Sequence, residues 1–583
     1  MFFTLAVSAA TPALCAELAD RARVADPAVM PIPGPAVVAW RSPDGRAALL
    51  HWGGPSGGGS MSGAGEPGAG GGAVTSRAGT IWAESPTPGS GRAPVMARTS
   101  VTRVDPVYVA RVPGAVIVAD RATWAAWTAG RLDAHDPLHV AALLNPGFPL
   151  GSATPFTGVS ALTGSTTLHL LNGALTRLRS PAGAKALGPA SGDGPGNGNG
   201  PRGDDGLRGG DGLRGGDGGS LGGARAVAEG LVAAVAHLAD AGQPVELSLT
   251  GGKDSRLIAA ALVRAGVPVV ARTHGFADHP DVVVAAEIAR RLGIEHLVRT
   301  PAAPGQVVDV LGRIRATVLV ADGMLSAFEN VGRPDPATSS VVTAGGHGGE
   351  LLRGGYAETA AGRPGAASGL RAALGPARRA ARATELLRRL TSKHLGLIRR
   401  GPAAGYVASL APWTTALARS PLHALDDFYL VNRAGRWSAA ARQAYLIRET
   451  LVQPLFDDRV VLAARAVPLA DRISGALSAA VLAELCPALV DVPLAGKPRA
   501  GPQAPFDWRR QYGEAIASLL RDYTLDLGAP AGLFAVVNRS AAEKLLAQPH
   551  TDHASVWALA TLACLLSGDY RDARNPAQLV SVT

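Results

Sequence analysis

The chain has 583 residues, 47% hydrophobic and 17% charged, which is too long for one hydrophobic core and too apolar to stay unfolded, so roughly two to four domains are expected. A net charge of +10 and a pI near 9.9 admit an anionic partner such as a nucleotide or an acidic peptide, but over this length they do not call for nucleic acid. The three cysteines, Cys15, Cys486 and Cys564, are far apart and form no CxxC pair, which argues against a disulfide framework and against a zinc site.

The first residues, "MFFTLAVSAATPALCA", carry no Lys or Arg and read as a buried strand running into a helix rather than a leader. No other stretch is long and apolar enough to span a membrane, so a cytoplasmic protein is expected. The runs "AVVAW", "AALLHW", "PVYVARV" and "GAVIVAD" alternate with turn residues and predict a mainly antiparallel sheet region. The Gly/Ser-rich insert 53–73 reads as a loop within it. Between 186 and 224 a near-repeat of Gly-Asp-Gly-Leu-Arg-Gly has almost no apolar mass and predicts a flexible linker, dividing the chain into 1–185 and 225–583. Beyond it "PVELSLT", "PVVARTHG" and "SSVVTAGG" alternate with helical patterns, which predicts an α/β fold with a parallel sheet whose ligands bind at the carboxyl ends of the strands. After 370 the pattern is mainly helical. The basic stretch 371–400 interleaves Arg with Leu and Ala and is expected to be a solvated helix face, so nucleic acid is not an expected partner.

In "LSLTGGKDSRL" (247–257) a strand ends at Thr250, Gly251 and Gly252 allow a tight turn, and a helix begins near Asp254. Backbone N–H groups of such a turn, with the positive end of the helix, form a cradle for phosphates. Thr250 and Ser255 add hydroxyl donors, and Lys253 and Arg256 add positive charge. Asp254 stands where a carboxylate holds magnesium against phosphate oxygens. A plain helix-capping turn, with Asp254 as an N-terminal charge, is the alternative. The spacing matches neither the Walker A loop nor the dinucleotide Gly-x-Gly-x-x-Gly motif.

The stretch resembles the Ser-Gly-Gly-x-Asp-Ser loop of the ATP pyrophosphatase superfamily, with Thr250 in place of the first Ser. "THGFADHPDVVVAAEIARRLGIEH" (273–296), "TAGGHGGELLRGGY" (343–356), "VQPLFDDRVVLAARAVPLADRI" (452–473) and "PLAGKPRAG" (493–501) follow in the order found in the asparagine synthetase family. The resemblance implies an N-terminal glutaminase-like αββα sandwich, then a parallel-sheet ATP-binding domain with a mainly helical C-terminal part. It implies ATP and Mg2+, a carboxylate substrate and an amine donor, either small molecules or a peptide, and AMP-forming amide synthesis. By position it assigns Asp254, Lys497 and Glu350 to catalysis, and Asp254 and Glu350 to the metal. Nucleotide contacts would fall on Leu247, Ser248, Thr250, Gly251, Gly252, Lys253, Ser255, Arg256, Thr273, His274 and Gly345.

Two departures stand out. Glutamine-dependent members use a cysteine at position 2, where this chain has Phe2; no glutaminase activity is expected, as in the related lasso-peptide cyclases and β-lactam synthetases. Gly346 and Gly349 stand where the family has acids, which leaves open both a site served by Glu350 or His347 and a nucleotide-binding scaffold without turnover.

Overall fold

The computed structural model describes residues 3–24, 37–52, 80–83, 94–179, 217–240, 242–300, 307–331, 342–361, 376–447, 450–496, 507, 509–510, 512–571 and 579–581. The 53–73 insert and most of the Gly/Asp-rich stretch lie outside these residues.

The first part contains the strands β1 (Phe3–Ala9), β2 (Val37–Arg41), β3 (Ala47–Trp52), β4 (Ile81–Ala83), β5 (Val95–Arg98), β6 (Tyr108–Val112), β7 (Ala115–Ala119), β8 (Val159–Ala161), β9 (Thr166–Leu171) and β10 (Ala174–Arg179). They form two antiparallel sheets, ordered β2-β3-β1-β7-β6-β8 and β10-β9-β5-β4. Strand periodicity decides which side chain meets which layer. Leu5, Val7, Leu50, Ile117 and Ala119 pack with Cys15, Leu18 and Trp124 of the helices Pro12–Arg23 and Ala122–Thr128. Their alternates Ala6, Leu49, Val116 and Val118 meet Ile81, Val95, Leu168 and Leu170 of the second sheet. As expected from its sequence, the first segment is a fully buried strand leading into a helix that Thr11 caps through Leu14 N. On the other face of β9, Thr167 and His169 are half-buried and Leu171 is exposed.

The second part contains β11 (Val245–Ser248), β12 (Val269–His274), β13 (Glu295–Arg299), β14 (Val307–Asp309), β15 (Val342–Ala344), β16 (Thr450–Val452) and β17 (Leu579–Ser581). Five of them form a parallel sheet ordered β13-β12-β11-β15-β16, as the alternating pattern predicts, and β14 pairs antiparallel with β17. The chain leaves β11 toward β12 and β13, then returns to its other side for β15 and β16. That reversal opens a crevice at the carboxyl ends of β11 and β15, the place where open α/β sheets take ligands.

Two features bear on how the chain is organised. The helix Asp217–Val235 begins inside the stretch read as linker, because Leu231 and Val235 bury against the parallel-sheet core and draw the preceding turns into the helix. The two parts also share one core: Phe3 and Tyr108 belong to the same apolar cluster as Leu425, Ala440 and Trp557. Across that junction Arg121 pairs with the buried Asp322, which also accepts from Thr123 Oγ1 (2.7 Å) and Ala122 N (2.9 Å). The boundary in the sequence is therefore not a boundary in the packing. The helix Pro376–Thr391 buries Ala383 and Leu387 and turns Arg378, Arg382, Arg388 and Arg389 outward, the solvated face its spacing predicts.

Candidate nucleotide site at the sheet crevice

The apolar strand β11 delivers the chain to Leu249, and the helix Lys253–Arg264 starts at Gly252 without a side-chain cap. Leu257 to Leu262 anchor that helix in the core, so its first turn is held rigidly with N–H groups free of capping side chains, a favourable end for an anion. The turn needs its glycine: a Cβ on Gly251 would lie 2.4 Å from Ala495 Cβ. The Gly251 amide donates to Asp281 Oδ1 (3.0 Å) and the Gly252 amide to Thr250 Oγ1 (3.2 Å). Ser255 Oγ donates to Thr250 O and accepts from Thr250 N, both at 3.1 Å. These hydroxyls and amides brace the loop.

Arg256 is only 3% exposed, which rules out a surface helix residue. Its guanidinium donates to Gly251 O, Gly252 O, Val492 O and Pro493 O at 2.8–3.0 Å. It fastens the late loop 493–496 to the glycine turn, and Ala495 N adds a bond to Gly251 O (3.1 Å). Residues 493–496 are thus brought beside the turn; Lys497 lies outside the described residues. Lys253 is exposed at the helix start.

Leu247 is buried, whereas Ser248 and Thr250 are exposed at the end of β11. On the neighbouring strand Thr273 is buried, donates to Leu249 O (2.8 Å) and meets His296 Nε2 (2.8 Å), while His274 is exposed. Gly345 follows β15, whose Ala344 lies in register with Leu247.

Glu350 follows Gly349, whose backbone packs against the Asp254 carboxyl, and the Glu350 charge contributes to raising the Asp254 pKa. Burial is the larger cause of that rise, and Arg353 opposes it by pairing with Asp254 Oδ1. Arg353 also reaches Glu358 Oε2 (3.1 Å). Tyr429 donates to Glu350 Oε2 (2.9 Å) from the start of a π-helical segment, Tyr429–Ser438. Such widened turns often occur at functional sites. The glycines that replace the family's two acids are required here. A Cβ on Gly349 would lie 2.0 Å from Asp254 Cγ, and one on Gly346 2.7 Å from Ser255 N.

Sequence alone does not single out Arg353, Tyr429 or Asp281. Arg353 and Asp281 stand inside motif segments that were noticed, whereas Tyr429 lies in a helical run with no local signal.

The family model for asparagine synthase matches residues 226–567, more than half of the chain. The chain belongs to the asparagine synthase family. No curated protein matches it. The asparagine synthase match spans the glycine turn, Asp254, Glu350, Arg353 and Tyr429, and identifies an ATP-dependent ligase or amidotransferase type of protein that forms carbon–nitrogen bonds. Among the described residues no helix is long and apolar enough to cross a membrane.

Proposed function

We propose that this protein is an AMP-forming amide synthetase that activates a substrate carboxylate with ATP and passes it to an amine, without hydrolysing glutamine. The observation that carries the reading is an uncapped helix N-terminus with Asp254 in its first turn at the crevice between β11 and β15, packed against the turn that holds Gly349 and Glu350. A carboxylate oxygen attacks the α-phosphorus and pyrophosphate leaves; the amine nitrogen then attacks the acyl carbon and AMP leaves. Activation removes the charge that makes a carboxylate a poor electrophile.

The chain's own groups suit the charge that builds on the phosphates. The helix dipole at the start of Lys253–Arg264 favours negative charge, Lys253 is exposed there, and Lys497 follows in sequence the loop tied to Gly251. Two carboxylates suit magnesium, which takes one or two such ligands plus phosphate oxygens. Asp254 and Glu350 would hold it, and when bound it neutralises phosphate charge.

The reading without glutamine hydrolysis draws on Cys15, which is fully buried, its thiol pushed up to about 11 mainly by burial and so poorly suited to act as a nucleophile. The amine then comes from a separate source. A specialised substrate, such as a peptide undergoing cyclisation, is the preferred reading over synthesis of asparagine from aspartate.

The test is pyrophosphate release from magnesium-ATP across a panel of aspartate, other amino acids and small peptides, with and without ammonia. Asp254→Ala and Lys497→Ala should abolish release that depends on the carboxylate, and release that persists in both would sink the assignment. The Arg353 pairing, which already neutralises Asp254, favours a second reading as a nucleotide-binding scaffold. That reading requires ATP binding without pyrophosphate release for every acceptor.

A further inference from the structure

A cavity of about 900 Å³ opens at the mouth of the first part's sandwich, away from the glycine turn. Val109 of β6, Ser160 of β8 and Leu175 of β10 bring both sheets to its wall, and Pro412, Trp413 and Val431 close it from the helical part. It falls within the size range of ligand pockets and at a junction between parts, where such pockets concentrate.

Its charges are one-sided. Arg103, Arg111, Arg131 and Arg177 line it against one acid, Asp136, and the Asp136 carboxylate is occupied in capping the helix Pro137–Leu144 through Leu138 N (2.9 Å). Arg131 lies across Gly158, donating to Gly158 O (2.8 Å) and Arg111 O (2.7 Å). A Cβ at Gly158 would stand 1.9 Å from its Nη1, so the glycine allows the guanidinium to lie there.

Arg103, on the inner wall, is 2% exposed and takes a left-handed backbone conformation, φ 49°. Such strain persists only where the surroundings enforce it, and it concentrates at functional sites. Its guanidinium reaches the carbonyls of Gly151 (2.8 Å) and Val431 (2.7 Å), but no carboxylate pairs with it among the described residues. A third, longer bond runs to Leu162 O (3.4 Å). Arg103 packs against Gly435, beside the buried Arg436, which donates to Ala153 O through Nη2 while its Nε and Nη1 have no hydrogen-bond partner among the described residues. Burial and the Arg436 charge together push Arg103 down to about 9. Two adjacent buried cations with no carboxylate partner among the described residues are costly, and a bound anion relieves that cost.

We infer that this cavity is a docking site for an acidic, partly apolar peptide segment, its carboxylates meeting Arg103, Arg111 and Arg177 and its apolar side chains lying on Leu150, Trp413 and Val431. A single inorganic anion would leave the apolar wall and most of the volume unused. The site is separate from the crevice but joined to it: Arg103 holds Val431 O, and Tyr429, two residues earlier, holds Glu350. The inference goes beyond the ligase reading and does not depend on it.

Calorimetric titration of the full chain with N-acetyl-Glu-Leu-Leu-Glu-amide, its Gln-Leu-Leu-Gln counterpart and inorganic phosphate tests it. The acidic peptide should bind saturably, the neutral one about tenfold or more weaker, as expected when charged hydrogen bonds are lost. The exposed double variant Arg111→Glu/Arg177→Glu should lose about tenfold or more as well. Asp254→Ala should bind the peptide like wild type whatever becomes of pyrophosphate release, which keeps the two readings separable. Absence of binding, equal binding of the neutral peptide, phosphate binding as tight as the peptide, or full binding by the double variant would each overturn the inference.

Discussion

The carboxyl carbon of Asp254 occupies the space that a side chain on residue 349 would need: a Cβ on Gly349 would lie 2.0 Å from Asp254 Cγ. The missing acid in the Gly-rich turn is therefore coupled to the position of the remaining one. Gly349→Ala should displace Asp254, break its pairing with Arg353 and destabilise the fold by about 1–3 kcal/mol, the usual cost of overpacking. Asp254→Ala should relieve the clash, so the double variant should unfold at a higher temperature than Gly349→Ala alone. Thermal unfolding of the four proteins measures that coupling, and strictly additive effects would contradict it.

Arg353 supplies a fixed cation at the carboxylate that would hold magnesium. If the crevice turns ATP over, Arg353→Met should cut pyrophosphate release by about 100-fold, the scale of removing one preorganised charged donor. Arg353→Lys should recover only part of it, because lysine keeps the charge but not the planar fork. Steady-state release by the three proteins decides the matter; an unchanged rate in Arg353→Met would make the pair purely structural.

The strands were the legible part of this molecule, because alternation and apolar runs are local: β3, β6, β7, β11 and β12 fall where "AALLHW", "PVYVARV", "GAVIVAD", "PVELSLT" and "PVVARTHG" stand. The glycine turn was legible for the same reason, since its geometry is encoded in six consecutive residues. What escaped depends on distant partners. Nothing near Arg256 says that its guanidinium will end on the carbonyls of Val492 and Pro493, and a lone Arg353 gives no sign of pairing 99 positions back. The shared core was hidden by the Gly/Asp-rich stretch, which separates the parts in sequence while Arg121 and Asp322 join them in space.

The cysteines offer a direct check of burial. Cys15 and Cys564 are fully buried, with their thiols pushed up to about 11 and about 12 chiefly by burial, whereas Cys486 is partly exposed. A thiol reagent at neutral pH should modify Cys486 alone in the native protein, because the thiolate is the reactive form. All three should react in denaturant. Rapid native labelling of Cys15 would mean that the first strand and helix do not pack as described.

The Arg121–Asp322 pair should bind the two parts into one cooperative unit. Replacing Arg121 with Met leaves Asp322 buried with Thr123 and the Ala122 amide as its partners among the described residues, and breaking such a pair costs about 3–5 kcal/mol. Unfolding followed by tryptophan fluorescence and by circular dichroism should shift together to lower denaturant. Separate transitions for the two signals would show that the parts fold independently despite their common core.

The same junction makes stability depend on pH through His139. Its Nε2 lies 2.9 Å from Gly323 O, its Nδ1 is buried without a partner, and burial pushes its pKa from 6.5 down to about 3, with the Arg436 charge adding to the fall. Because the folded value is the lower one, the unfolded chain binds the extra proton first as pH falls. The stability contributed by neutral His139 is complete above about pH 6.5 and is lost progressively toward pH 3, by at most about 1.4 kcal/mol per pH unit. In a His139→Gln variant the side-chain amide can still donate to Gly323 O but cannot titrate. Denaturant unfolding at about pH 7 and about pH 5 should show the wild type losing more stability than the variant between the two, by up to one proton's worth of slope. Equal losses would place the acid sensitivity elsewhere and remove His139 as the group that couples the junction to pH.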